Sequence, residues 1–170
     1  MTRHFDRFDP IVRLTGVELT LTSGAGAVRV LRGVDLEIGA GERVALVGPS
    51  GAGKSSMMMV IAGLEQASSG GVRIAGQDLT VLGEDALALF RREHVGIVFQ
   101  AFHLVPTMTA LENVAVPLEF AGREDAFERA AAGLDLVGLG PRQGHYPGEL
   151  SGGEQQRVAL ARAFVTEPNL

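Results

Sequence analysis

The spacing of apolar positions changes several times along the chain, and each change marks an element. Residues Ile11 to Leu21 are rich in β-formers and alternate at Leu19-Thr20-Leu21, which predicts a strand. Ser23-Gly24-Ala25-Gly26-Ala27 has turn chemistry. Val28, Val30, Val34, Leu36 and Ile38 then predict one or two strands, broken near Gly33, so the chain opens with an antiparallel layer. Arg43-Val44-Ala45-Leu46-Val47 reads as a buried strand, Val72 to Ala75 as a short one, and Val95-Gly96-Ile97-Val98-Phe99 as a buried parallel strand. Helical spacing appears at Ser56 to Ala62, Asp85 to Arg92, Ala110 to Val116, Glu124 to Leu139 and Gln155 to Thr166. Pro117 is expected to kink or end the third of these helices, and Pro168 ends the last. The run Met57-Met58-Met59-Val60-Ile61 is read as a helix buried against the sheet rather than as a soft-metal face. Residues 1–10 read as a polar arm. Strands alternating with helices predict an α/β fold.

Composition narrows the picture. A chain of 170 residues is one domain by default, and 46% hydrophobic with 5% aromatic residues gives it an aliphatic core. The net charge of −5 argues against a nucleic-acid partner. With no cysteine, disulfides and thiolate metal sites are excluded. His4, His94, His103 and His145 show no metal-ligand spacing. The longest apolar run, Met57 to Leu64, is far short of the ~20 residues that cross a bilayer. Direct membrane insertion is therefore not expected, and the chain is soluble or peripheral through a partner.

Three stretches carry chemistry. Gly48-Pro49-Ser50-Gly51-Ala52-Gly53-Lys54-Ser55 fits G-x-x-x-x-G-K-[ST], the spacing of a phosphate-binding loop between a strand and a helix. Its glycines let backbone N–H groups wrap phosphates, Lys54 supplies an ammonium for the β- and γ-phosphates, and the Ser55 hydroxyl is a hard ligand for Mg²⁺. Ser56 follows in the first turn of the helix, whose positive end favours an anion. Gln100 stands at the C-terminal end of the predicted strand 95–99, where ligands of open α/β sheets bind, and its amide can hold water or Mg²⁺. Phe102, Leu104, Val105 and Pro106 after it form an irregular apolar segment. Leu150-Ser151-Gly152-Gly153-Glu154 opens the last helix, and Ser151 with Glu154 forms an S-x-x-E capping box. Gly152 and Gly153 leave the first-turn amides uncovered, which suits an anion as well as simple capping. Arg157 and Arg162 read as surface or buttressing cations.

Taken together, Gly48 to Ser55, Gln100 and LSGGEQQRVALARA at 150–163 resemble the nucleotide-binding domain of ABC transporters, with Walker A loop, Q-loop glutamine and signature in order. VGIVFQAFHLVPTMTALENVAVPL at 95–118 is most similar to the lipoprotein-releasing and macrolide-exporter subgroup, including YbbA-like members. The resemblance covers residues 11–170. It implies a P-loop NTPase core with an N-terminal antiparallel β layer and a helical subdomain over roughly 101–150. It also implies ATP and Mg²⁺ as cofactors, with Ser55 and Gln100 at the metal. Partners would be a second ATP-binding subunit, stacked head to tail, and transmembrane permease subunits, with the chain at the inner face of the cell membrane. Gly48 to Ser55 of one copy would then face Ser151 to Glu154 of the other across the γ-phosphate, and Ala101 to Pro106 would lie near the permease.

The departures from the family pattern shape a further expectation. A Walker B strand with its aspartate and catalytic glutamate, a D-loop and a switch histidine follow the signature helix in the family. The sequence closes at Thr166-Glu167-Pro168-Asn169-Leu170, so none of these can be assigned. No aromatic residue for stacking adenine occurs in residues 11–42, and Leu21 lies near where one is expected. The expectation is a chain lacking the C-terminal part of the core and incomplete as a catalyst. The alternative is a subunit that binds nucleotide without hydrolysing it. Gln100 and Ser151 lie too close in sequence for the long coiled coil of chromosome-type members, and the single domain does not fit translation-type members.

Overall fold

The computed structural model describes residues 9–24 and 26–170, so most of the polar arm expected over residues 1–10 lies outside the described residues. The chain forms two compact units, one ending at Arg91 and the other running from Arg92 to Leu170.

In the first unit, β1 (Val12–Ser23), β2 (Gly26–Ile38), β3 (Ser69–Ile74) and β4 (Gln77–Asp78) form one sheet in the order β2-β1-β3-β4, with each neighbouring pair antiparallel. β1 is central because its apolar residues pair on both sides: Leu14 faces Leu36 of β2 and Val72 of β3. Its buried side chains shift from Val12 and Leu14 to Val17 and Leu19, an even-to-odd change that one extra residue produces. The ladder register shifts between Leu14 and Val17, and Gly16 absorbs the bulge at φ 55°. The break expected near Gly33 does not occur; β2 continues through it as one strand. β-branched and aliphatic residues on both sides of Gly33 keep their partners, so the ladder survives the local bend.

Two helices complete this unit's elements. In α1 (Lys54–Ile61) only Val60 and Ile61 are buried, while Met58 and Met59 are exposed, so the methionines are not the packing face. A helix turns 100° per residue, and five successive apolar residues cannot all face one sheet. α2 (Glu84–His94), which runs on into the second unit, buries Leu87 and Phe90, three residues apart on one face. The expected strand 43–47 is absent: the backbone there is irregular, with Val44 51% and Val47 88% exposed. An apolar run is only half of what a strand needs. Its amides and carbonyls also need a neighbouring strand, and no ladder among the described residues includes these five.

The second unit is helical, built from α3 (Ala110–Phe120), α4 (Ala126–Leu136) and α5 (Gly152–Phe164). Ala110, Val114 and Leu118 recur every four residues on α3, as do Ala126, Ala130 and Leu134 on α4, and both stripes join Val158, Ala161 and Val165 in one core. Pro117 does not end α3 at Val116. It removes a single amide donor near the helix end, and the Ala121 N–H donates to the Pro117 and Leu118 carbonyls at 3.2 and 3.1 Å to close the last turn. Residues 95–99 are irregular where a parallel strand was expected. One rung of that strand is present: the Leu170 N–H donates to the His94 carbonyl at 3.0 Å, and the Gly96 N–H donates to the Leu170 carbonyl at 2.8 Å.

The buried polar side chain of this core is Asn113. Its Oδ1 accepts from the Val105 N–H at 2.8 Å, and its Nδ2 donates to the carbonyls of Val105, Met108 and Thr109 at 3.0–3.1 Å. One side chain thus satisfies a loop that has no ladder. Replacing it strands those groups, at about 1–3 kcal/mol for a buried donor or acceptor left unpaired. Asn113→Ala is expected to lower the chain's unfolding free energy by about that amount, read as a lower urea midpoint at unchanged slope. An unchanged midpoint would show that water replaces the amide without loss.

Candidate functional site

The phosphate loop lies between the irregular segment 42–47 and α1. Gly48, Gly51 and Gly53 take φ of 154°, 80° and 81°, which is glycine's territory. A Cβ on Gly53 would come 3.0 Å from the Val30 carbonyl oxygen and 3.2 Å from Leu31 Cδ2, so this glycine also lets the loop seat on β2. Lys54 folds back over the loop, its Nζ donating to the Gly48 and Pro49 carbonyls at 2.9 and 2.7 Å. An ammonium has three donors, so one remains. No carboxylate pairs with Lys54 among the described residues, and the first turn of α1 holds no acidic residue and no side-chain cap. Positive helix end, free amides and an unpaired cation therefore converge on exposed backbone at residues 48–52. A polyphosphate fits this donor set. Ser55 is exposed and Ser56 half-buried in the same turn. No cluster of three acidic or histidine side chains among the described residues would hold a cation alone. Mg²⁺ fits only as a metal that keeps phosphate oxygens and water beside the Ser55 hydroxyl.

Gln100 is exposed at the start of a tight turn. The Phe102 N–H donates to the Phe99 carbonyl at 3.0 Å, the His103 N–H to the Ala101 carbonyl at 2.6 Å, and the Phe99 and His103 rings meet edge-on at 5.0 Å. Phe102 and His103 both adopt left-handed backbone, at φ 60° and 47°. Each costs about 1–2 kcal/mol for a residue with a Cβ. Arg162 on α5 offsets this, donating from Nη2 to the Phe102 carbonyl at 2.7 Å and from Nη1 to the His103 carbonyl at 2.9 Å. Hydrogen bonds to a charged group contribute about 1.5–3 kcal/mol each, the same scale as the strain they hold.

Ser151 caps α5. Its Oγ accepts from the Glu154 N–H at 3.3 Å, and the Glu154 carboxylate accepts from the Ser151 N–H and Oγ at 2.8 Å each. Arg142 Nε lies 3.3 Å from the other carboxylate oxygen. These donors, the Ser151 backbone amide first, hold the Glu154 carboxyl below the usual glutamate range. Its charge is thus committed to the cap, and the exposed Gly152 and Gly153 present the open part of the helix end. Gln155 ties the approach down, its Nε2 donating to the Pro147 and Leu150 carbonyls at 2.9 and 3.1 Å.

The phosphate loop thus belongs to the first unit, while Gln100 and Leu150–Glu154 belong to the second, where Arg162 joins the Gln100 turn to α5. Arg157 is exposed, but Arg162 is half-buried and acts as a buttress. The sequence reading missed Asn113 and Gln155. The available signal for Asn113 was its place beside Val114 on an apolar helix face; Gln155 carried none.

Comparison with known proteins agrees with the geometry. A family model described as ABC transporter matches residues 31–170. The chain is 47% identical to the lipoprotein-releasing system ATP-binding protein LolD of Chromohalobacter salexigens, over 99% of its own length and 72% of that protein. It is 48% identical to the macrolide export ATP-binding/permease protein MacB 1/2 of Paracoccus denitrificans, over 93% of its own length but 24% of that protein. Among solved structures it superposes on the ATP-binding cassette MJ0796, described as a dimeric post-hydrolysis state bound to ADP and Pi. The TM-score is 0.86 at 41% identity, covering 92% of this chain and 70% of that one.

The capping boxes of α3 and α5 set an acid limit. Glu112 at the start of α3, like Glu154, is held below its usual range, first by the Thr109 backbone amide. A depressed folded pKa means that the unfolded chain takes the proton first. The stabilisation is complete above the ordinary glutamate pKa of about 4.3 and is lost as pH falls through the folded value. Stability is therefore expected to drop as pH falls below the ordinary glutamate range. The drop should be shallower in Glu112→Gln/Glu154→Gln, measured by urea unfolding at each pH. An equally steep drop in the double variant would assign it to other carboxylates.

Proposed function

The chain belongs to the ABC transporter family, and from this premise we propose that it binds ATP with Mg²⁺ as the ATP-binding subunit of a membrane transporter. What carries the reading is the phosphate loop, where Lys54 and the amides of Gly51 and of Gly53 to Ser55 offer cationic and N–H donors with no carboxylate set against them. Lys54 holds the β- and γ-phosphates, and Ser55 and Gln100 orient Mg²⁺ and a water. Bound Mg²⁺ supplies charge neutralisation between phosphate oxygens. Ser151, Gly152 and Gly153 of a second copy meet the γ-phosphate, so two chains stack head to tail around two nucleotides. Glu154 serves that helix end through its cap rather than by touching the anion. Permease subunits form the membrane part, since no helix among the described residues is long and apolar enough to cross a bilayer. The likeness to lipoprotein-releasing and macrolide-export proteins supports export or lipoprotein release, with the chain working at the inner face of the membrane.

Calorimetric titration with ATP–Mg²⁺ tests this reading. Lys54→Ala is expected to weaken ATP binding about 10- to 100-fold, the scale of one charged contact, with unchanged helix content. Equal affinity in the variant would remove Lys54 from the phosphate site.

A further inference from the structure

We propose that Arg162 is a positioning residue that sets where Gln100 stands, by holding the turn after it to the helix that begins at the LSGGE segment. The inference rests on the reading of Gln100 as a metal- and water-orienting group.

The geometry is that of a fork on two successive carbonyls. Arg162 Nη2 and Nη1 donate to the carbonyls of Phe102 and His103, the two successive residues of positive φ in the turn. Gln100 lies two residues before Phe102, and the turn between them is closed by its own backbone bonds and the Phe99–His103 ring contact. The turn therefore moves as a piece, and its outer handle is the pair of carbonyls on Arg162. At the other end of α5, a helix of 13 residues, stands the Ser151 cap. A helix of three to four turns is stiff, so displacement of the cap reaches the turn through Arg162.

Two features separate this from ordinary buttressing. Arg162 is half-buried, yet no Asp or Glu pairs with it among the described residues; peptide carbonyls alone meet its charge. Burial disfavours that charge, so the site retains it at a cost. A planar fork is also needed. A lysine carries a point charge on a flexible stem and cannot hold two carbonyls in fixed register. Farther along the chain, Asn113 fixes Val105, Met108 and Thr109, so the segment after the turn is anchored independently of Arg162.

The experiment compares the full chain with Arg162→Ala, Arg162→Lys and Gln100→Ala by amide hydrogen exchange and by ATP binding with and without Mg²⁺. Arg162→Ala is expected to speed exchange at residues 100–104 at least tenfold, while α3 and the first turns of α5 keep their rates. Arg162→Lys should fall between, and remains informative if the alanine variant does not fold. Arg162→Ala should also remove as much of the Mg²⁺-dependent gain in ATP affinity as Gln100→Ala, and the double variant should remove no more. Unchanged exchange at 100–104, or a uniform rise across residues 92–170, would overturn the positioning role. A Gln100→Ala variant with undiminished Mg²⁺ dependence would contradict the metal reading of Gln100 and not the clamp, which the exchange pattern decides independently.

Discussion

Irregular backbone must still place its amides and carbonyls, and this requirement governs the chain's functional stretches. The phosphate loop and residues 95–109 join no extended ladder. Single side chains take over: Lys54 on the Gly48 and Pro49 carbonyls, Arg162 on those of Phe102 and His103, Asn113 on those of Val105, Met108 and Thr109. Each sits on a helix, which gives it a fixed base. The loops gain definite positions without losing the exposed groups that a ligand needs. The energies are small, one or two charge-assisted bonds against a few kcal/mol of strain or desolvation, so each loop depends on one residue.

The two helix ends solve their electrostatics differently. α1 begins at Gly53 with no side-chain cap and no acidic residue in its first turn, so its amides and Lys54 stay available to an anion. α5 begins at Ser151 with a full capping box, and the Glu154 carboxylate is engaged there and by Arg142. The first end leaves its amides uncapped and the second is stabilised by its cap; on the proposed reading, an anion at the second would meet the glycine amides rather than the side chains beside them.

The sequence was most legible where chemistry demands fixed residues at fixed spacing. The phosphate loop, the α5 cap and the antiparallel layer at residues 12–38 all stand where periodicity and motif predicted them. It was least legible where an element needs a neighbour. Residues 43–47 and 95–99 have strand composition, but pairing is a property of two segments, and only the Val95–Leu170 rung forms. Pro117 misled because a proline near a helix end costs one bond and the final turn recovers. The methionines misled because composition does not say which face of α1 turns inward. Arg162 was readable as a cation with two possible fates, and only the fold placed its fork against two left-handed residues.

The central claim is that the phosphate loop and the LSGGE helix end are halves of one site, completed between two copies around ATP. The chain has no cysteine, so single ones can be introduced cleanly, Ser50→Cys in the loop and Gly152→Cys at the helix end. The most direct measurement is oxidative cross-linking of a mixture of the two variants, with and without ATP–Mg²⁺, read by non-reducing electrophoresis. The account predicts a disulfide-linked pair containing one chain of each kind, formed with nucleotide and not without it. No cross-link with saturating nucleotide, or one that forms equally in its absence, would contradict the account.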